Sequence, residues 1–390
     1  MARLPIIVLG LLLVIVAAAS LQRGIPDDLR DRAHAKSLQG DGASHTEVLT
    51  LLRQALRQDP ASPYRWCDLG EALVEAGETA TARYCFRRSL ELGPNAPPIW
   101  MRAANFHFRL AETGEAVRCT ARVLKTVPDY DAVVFSYWDR LVPQTGDVLN
   151  SIADDKRAAQ SYFQHLISSG QTARAEIAWN WLAGRAFSDD LLAAGYIDLL
   201  LARQQVQQAG EVWIAHLGAR KGDYPDANRL SNAGFEFPPT GAVFDWRISP
   251  VDPVEVTRYS GLAKTGQCSL RLRFLGKANV AYSHTAQTTP VSPGSYRLRA
   301  FVKTEALTTS EGIRFRIFDT QAPGRLDVRT AQLTGTHDWT ALDQMVLVPV
   351  GTRLVTVQIC RDPSPKFDNK IQGTAWIDAV SLVPARQAGR

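Results

Sequence analysis

Cysteine is scarce and poorly spaced for a disulfide framework, with five in 390 residues. Cys67, Cys85 and Cys119 fall in helical sequence, Cys268 and Cys360 in strand-like sequence, and no C-x-x-C occurs. The usual zinc and redox spacings are therefore excluded. A Cys268–Cys360 bridge stays open in an oxidising compartment, although such thiols more often serve as small buried hydrophobes. Histidine is thin as well: seven residues, from His34 to His337, are scattered without metal-ligand spacing. There is no glycine-rich loop ending in Lys-Ser/Thr and no G-x-S-x-G, so phosphate-cradling and nucleophile-elbow chemistry have no seat. No two carboxylates stand out as the facing acids that glycoside hydrolysis needs.

Charge of one sign is also lacking overall, at +5 formally, but it is distributed unevenly. From Asn228 onward there are 20 basic and 13 acidic residues, net +7, while the rest of the chain is net −2. A basic C-terminal part fits an anionic polymer as partner, or simply a solvated basic surface. Apolar content of 45% and charged content of 21% are those of a globular protein. The length suits two domains rather than one.

One long hydrophobic run is present. Arg3 precedes residues 4–21, which carry no charge, and "VAAAS" at 16–20 places small residues where a signal peptidase would cut, after Ala19. The run is long for a signal core and near the lower limit for a membrane span. Residues 1–22 are therefore expected to be a signal peptide or membrane anchor, with the remainder exported. An exported chain makes nucleic acid an improbable partner.

"WCDLGEALVEAGETATARYCF", from Trp66, repeats its spacing downstream. Trp66 and Trp100 stand 34 residues apart, as do Gly77 and Ala111, Ala82 and Ala116, Cys85 and Cys119, and Pro60, Pro94 and Pro128 in series. Each unit reads as two helices, the first with Trp66, Leu69, Gly70 and Leu73, the second with Ala82, Phe86 and Ser89, ended by Pro94. The pattern resembles the tetratricopeptide repeat. The resemblance implies that Gly70 and Ala82 let the helices approach, that Trp66, Leu69, Leu73 and Phe86 fill the space between them, and that Gly77 sits near the turn. The next unit departs from it, with Ala104 for the glycine and Thr120 for the large apolar residue. A half-unit at 45–58 carries Val48, Leu52 and Ala55, and the register slips after Pro128. Two weaker pairs follow, with Ala175, Trp179 and Leu182, then Leu201, Gly210, Ile214 and Leu217. Residues 45–218 are expected to form an α-solenoid of about five units. By repeat phase its groove holds Glu71, Glu75, Met101, Asn105, Phe108 and Arg109, facing a protein partner; the alternative is a spacer that packs only on itself.

"KGDYPDANRLSNAGFEFPPTG" then breaks the helical pattern. Alternating runs follow at "SLRLRF", "SYRLRAFVKT", "GIRFRIFD", "MVLVPV", "RLVTVQIC" and "AWIDAVSL", separated by turns such as "VSPG" and "LTGTHDW". They predict an antiparallel β-sandwich over 228–385. The expected organisation is completed by linkers at 23–44 and 219–227 and a tail at 386–390. The fold class is thus multidomain α + β. "NRLSNAGFE", "GQCSLRLRF", "PVSPGSYRLRAFVKT" and "GTAWIDAVSL" resemble the jelly-roll carbohydrate-binding modules that accompany many glycoside hydrolases. That resemblance implies a structural calcium held by Glu236 and Asp378, with carbonyls near Lys264 and Thr265 completing its shell; the alternative is that both carboxylates bind turn amides. No cofactor is otherwise implied.

Sugar rings stack on aromatic faces. The candidates are Trp246, Tyr259, Tyr282 and Trp339. By the resemblance Trp246 and Trp339 are core residues, which leaves Tyr282 and His284 as the exposed pair. Three tripeptides, Arg271-Leu-Arg273, Arg297-Leu-Arg299 and Arg314-Phe-Arg316, alternate along strands. If those strands are neighbours, six guanidinium groups make one patch for an acidic polysaccharide or a phospholipid surface. A non-enzymatic envelope adaptor follows as the expectation, with a helical part for a protein partner and a sandwich for a glycan, as in surface polysaccharide assembly or export. Two alternatives stand: a purely protein-binding scaffold, and a jelly-roll polysaccharide lyase using Tyr282, His284 and the arginines.

Overall fold

The computed structural model describes residues 28–37 and 42–385. The apolar run at 4–21 and the tail at 386–390 lie outside them. Among the described residues no helix is long and apolar enough to cross a membrane. The chain divides into two compact units at Ala159/Gln160.

The first unit is helical: α1 (Asp28–Ser37), α2 (Gly42–Gln58), α3 (Pro63–Glu75), α4 (Thr79–Leu92), α5 (Pro97–Arg109), α6 (Thr113–Thr126), α7 (Asp131–Leu141) and α8 (Thr145–Ser151), with α9 (Lys156–Ser168) starting at its end. Helix α1 lies where the sequence reading expected only linker, and its Ala33 is buried in the same core as Val48 and Leu52 of α2. Helix α3 starts at Pro63, whose fixed φ suits a first turn, behind Ser62, which accepts the Arg65 amide at 3.5 Å. The 34-residue period is visible as a recurring hydrogen bond. Trp66 Nε1 donates to the Pro60 carbonyl and Trp100 Nε1 to the Pro94 carbonyl, each at 2.9 Å.

Between α3 and α4 the close contact is at Gly70. A Cβ there would stand 3.0 Å from Phe86 Cε2. Phe86 stacks on Phe106 of α5 with centroids 4.5 Å apart, both rings buried, and such burial stabilises by roughly 1.5–3 kcal/mol per ring. Trp66 is only half-buried, its ring set edge-on to Tyr84, so it seals the hairpin rather than filling it. Thr120, the polar departure from the repeat, is fully buried and accepts the indole N–H of Trp138 from α7 at 2.9 Å. Trp138 supplies the volume that Thr120 lacks.

Helix α7 begins at Asp131, still 34 residues after Pro97. The slip falls in α8, which has seven residues, so that α9 starts early. From there the period resumes: α10 (Thr172–Gly184), α11 (Asp190–Ala202) and α12 (Val206–Leu217) place α11 and α12 34 residues after α9 and α10. In these pairs Ala175, Trp179, Leu182, Gly210 and Leu217 are buried, whereas Leu201 and Ile214 are half-exposed, and Leu200 and Trp213 hold the core instead.

The rest of the second unit is two five-stranded antiparallel sheets: β1 (Arg247–Ile248), β4 (Tyr282–Pro290), β9 (Leu354–Arg361), β6 (Arg314–Asp319) and β7 (Asp327–Arg329) in one, β2 (Val254–Tyr259), β3 (Ser269–Leu275), β10 (Gln372–Pro384), β5 (Gly294–Leu307) and β8 (Gly335–Val348) in the other. Their inner residues share one core, including Leu270, Leu272, Phe315, Ile317, Val357 and Ile377. The stretch "LTGTHDW" is not simply a turn. From Gly335 it begins β8, whose pairing with β5 is irregular there.

Two substitutions test the helical packing. Gly70→Val drives a side chain into Phe86 and is expected to cost about 1–3 kcal/mol in urea unfolding. Ala111 holds φ 58 where its repeat counterpart Gly77 holds φ 79. Ala111→Gly is expected to raise stability by about 0.5–1 kcal/mol in the same measurement, because it relieves the left-handed strain of a Cβ.

Candidate functional site

The six arginines do not converge. Arg271 and Arg273 lie on β3, Arg297 and Arg299 on β5, and β10 separates these strands, while Arg314 and Arg316 lie on β6 in the other sheet. Alternation does turn each pair outward, as the strand period requires, but acids are interleaved with them. Arg297 Nε donates to Asp343 Oδ1 at 2.7 Å and Arg299 Nε to Asp343 Oδ2 at 2.8 Å. Arg316 grips Asp327 at 2.8 and 2.7 Å. Arg314 is bound by Glu311 and by Gln332. Arg273 stands 3.5 Å from Glu255.

Tyr282 is not an exposed partner of His284. It is 1% exposed, packs edge-on against Phe274 and shares a 2.5 Å hydrogen bond with Thr285. Burial pushes its hydroxyl up to about 12. A β-bulge turns Tyr282 inward. Tyr282 pairs with Arg361 and Thr285 with Ile359, so two residues of β4 oppose one of β9 and the in-out alternation breaks. His284 stays half-buried beside it. Trp246 is a core residue, packed at a tilt against Phe235 with ring centroids 5.0 Å apart, whereas Trp339 is half-exposed on β8. Cys268 and Cys360 are not bridged: they sit on or beside strands of different sheets, both buried, and burial raises the Cys360 thiol to about 11.

Glu236 and Asp378 come together beside Gly234, and both carboxylates are engaged by turn amides. Asp378 Oδ2 accepts the amides of Lys264 and Thr265 at 2.7 and 2.8 Å, and Oδ1 accepts the amide of Ala379 at 2.6 Å. Glu236 Oε1 accepts the amides of Gln267 and Cys268 at 2.9 and 3.1 Å. Calcium requires six to eight oxygens, and here N–H groups face the carboxylates where carbonyls were expected. Among the described residues no three His, Cys, Asp or Glu side chains gather for a metal. Burial nonetheless pushes the Asp378 carboxyl up, against the pull of the amides. The pair ties the 261–268 loop to β10.

The outward face of the β10 sheet carries a cluster that sequence reasoning missed. Trp376 pairs across β10 with Arg271 of β3 and Lys303 of β5, so the three side chains share one face. Arg271 lies 4.7 Å over the ring of Tyr259. Lys303 is held by Asp338 at 2.8 Å. Among the described residues the indole N–H of Trp376 and Nε of Arg271 have no acceptor. The signal was present in "AWIDAV": Ala375 and Ile377 are fully buried, which turns Trp376 outward.

In the helical unit, Glu71 is bound by Arg102 through two 2.7 Å contacts, with Arg102 also reaching Asp68. Phe108 stacks on Tyr137 of α7 at 5.9 Å. Met101 is half-buried, and Glu75, Asn105 and Arg109 are exposed.

No family model matches the sequence, and no curated protein matches it. Solved structures do. A structure described as TmCBM61 in complex with beta-1,4-galactotriose is 20% identical with a TM-score of 0.30, over 40% of this chain and 99% of that one. A family 16 carbohydrate binding module is 19% identical with a TM-score of 0.29, over 40% of this chain and 99% of its own. The enzymatically active domain of bacteriophage CBA120 tailspike protein 4 is 18% identical with a TM-score of 0.31, over 40% of this chain and 21% of its own. At these identities and scores the likeness carries no ligand across.

Two measurements check the site's electrostatics. The Arg297 guanidinium, with Arg299 behind it, holds the Asp343 carboxyl below its ordinary value. Its contribution is therefore present above the unfolded carboxylate pKa of about 3.9 and lost as pH falls through the lower folded value. Asp343→Asn is expected to cost about 0.5–1 kcal/mol at neutral pH, with the difference vanishing in acid. Chelation by EDTA is expected to leave the melting midpoint of the full chain unmoved.

Proposed function

We propose that this chain is a binding protein rather than an enzyme, with a sandwich that contacts a glycan and a helical-repeat part that engages a protein. The observation that carries the glycan reading is the row Tyr259, Arg271, Trp376 and Lys303 on one outward sheet face. A half-exposed indole offers a flat surface to the C–H face of a sugar ring, and the neighbouring Arg271, which no carboxylate answers among the described residues, favours an acidic polymer. The helical reading is that of a tetratricopeptide-like solenoid, supported by the 34-residue period and by the repeated tryptophan-to-carbonyl bond. Glu75, Asn105 and Arg109 are its open groove positions. The apolar segment at 4–21 supports a place in the cell envelope, and the combination suits assembly or export of a surface polysaccharide.

A lyase is disfavoured because its Tyr282 is buried and its arginines are dispersed. The scaffold reading draws on β8, an edge strand with Met345 and Leu347 55% and 71% exposed. Affinity gel electrophoresis of the full chain separates the two. Retardation by an acidic polysaccharide such as polygalacturonate, weakened about tenfold, or 1.4 kcal/mol, in Trp376→Ala and Arg271→Ala of unchanged melting curve, is the expected outcome. Mobility unaffected by every neutral and acidic glycan tried would leave the scaffold standing.

A further inference from the structure

Within the second unit a cavity of about 770 Å³ opens between the start of α12 and the β4–β5 turn. Arg229 and Arg353 both line it, together with Gln204, Gln207, Gln208 and Glu211. It shares no residue with the outward cluster around Trp376.

These two arginines differ from those of the tripeptides. Neither guanidinium has an ion pair or hydrogen bond among the described residues, and Nε of Arg229 is shielded from solvent with no acceptor. The main chain fixes Arg229 all the same. Its amide donates to the Leu382 carbonyl at 2.9 Å, and its carbonyl accepts the Thr289 hydroxyl. The Arg353 carbonyl accepts the Val291 amide at 3.0 Å. Two like charges are thus anchored at one cavity, and neither forms an ion pair among the described residues. The one acid on the lining, Glu211, accepts a hydrogen bond from Gln207 at 3.0 Å.

Guanidinium groups take carboxylate or phosphate oxygens through paired N–H donors. Glutamine amides both donate and accept, as adjacent sugar hydroxyls do. The volume lies within the range of small-ligand sites, roughly 300–1,000 Å³. We propose that this cavity binds an anionic sugar unit, with Arg229 and Arg353 on its acidic group and Gln204, Gln208 and Glu211 on its hydroxyls. The acidic group can be a uronate carboxylate or a phosphate ester, since both present the same paired oxygens.

Calorimetry on the full chain with digalacturonate, glucose 6-phosphate, neutral galactobiose and inorganic phosphate tests this. One acidic sugar is expected to bind at least about tenfold more tightly than galactobiose, and which of the two does so names the group. Measured in the Trp376→Ala background, which removes the contribution of the outward cluster, Arg353→Gln and Arg229→Gln are each expected to weaken it about tenfold. Because Arg353 is exposed, its variant keeps the test valid if Arg229→Gln folds poorly. The proposal is overturned if neither acidic sugar outbinds galactobiose, if inorganic phosphate binds as well as the better sugar, or if Arg353→Gln binds like the parent.

Discussion

Strand β10 is the seam on which the sandwich and both of its surfaces depend. It pairs with β3 on one side and β5 on the other, and its pairing with β5 shifts between Asp378 and Ser381. A shift in a central strand leaves backbone groups without ladder partners, and buried ones must be satisfied elsewhere. Here the opening segment of the domain supplies them. Asn228 donates to the Val380 carbonyl and accepts the Leu382 amide, and the Ala233 carbonyl takes the Val380 amide. The Asp378 carboxylate then gathers the 264–265 amides. One irregularity therefore fixes the 228–236 segment and the loop after β2. It also sets Arg229, the neighbour of Asn228, at its cavity.

Partners, rather than abundance, distinguish the arginines. An outward strand pair such as Arg297 and Arg299 looks like a binding patch in sequence, yet one carboxylate, Asp343, answers both. Such half-exposed pairs contribute little to stability, but they occupy the donors a ligand would need. Arg271 is held by the face of Tyr259, and its Nε is left without an acceptor. Arg229 and Arg353 have no ion-pair partner among the described residues. A net basic half therefore does not mean a basic patch. What is available to an anion is the small set of guanidinium groups that the fold leaves unanswered.

The legible parts of this chain were those with a strict period. The helical hairpins show in the spacing of Trp66, Trp100 and the prolines, and six of the ten strands in runs such as "SLRLRF". What escaped were departures from period. The bulge between Tyr282 and Thr285 inverts which side chains face inward, and no composition signal marks it. The placement of β10 between β3 and β5, which disperses the arginines, is a long-range pairing that local sequence does not encode. The short α8 shifts the repeat phase through its length alone. Helix α1 was missed because ten mostly polar residues carry almost no apolar stripe.

The titratable groups that burial shifts also bear on binding as against turnover. Efficient proton transfer at neutral pH calls for a group tuned toward neutrality and within reach of a substrate. Here desolvation moves the buried thiols and phenols away from it, while it moves the buried carboxyls of Asp245 and Asp378 up toward it. The thiols of Cys67, Cys85, Cys119 and Cys360 rise to about 11, and the hydroxyls of Tyr196, Tyr224 and Tyr282 to about 12. All of them lie inside the core, where their role is packing. The outward cluster and the Arg229–Arg353 cavity offer an indole, a phenol ring, glutamine amides and guanidinium groups. Such a set suits the proposed recognition of a ligand by shape and charge.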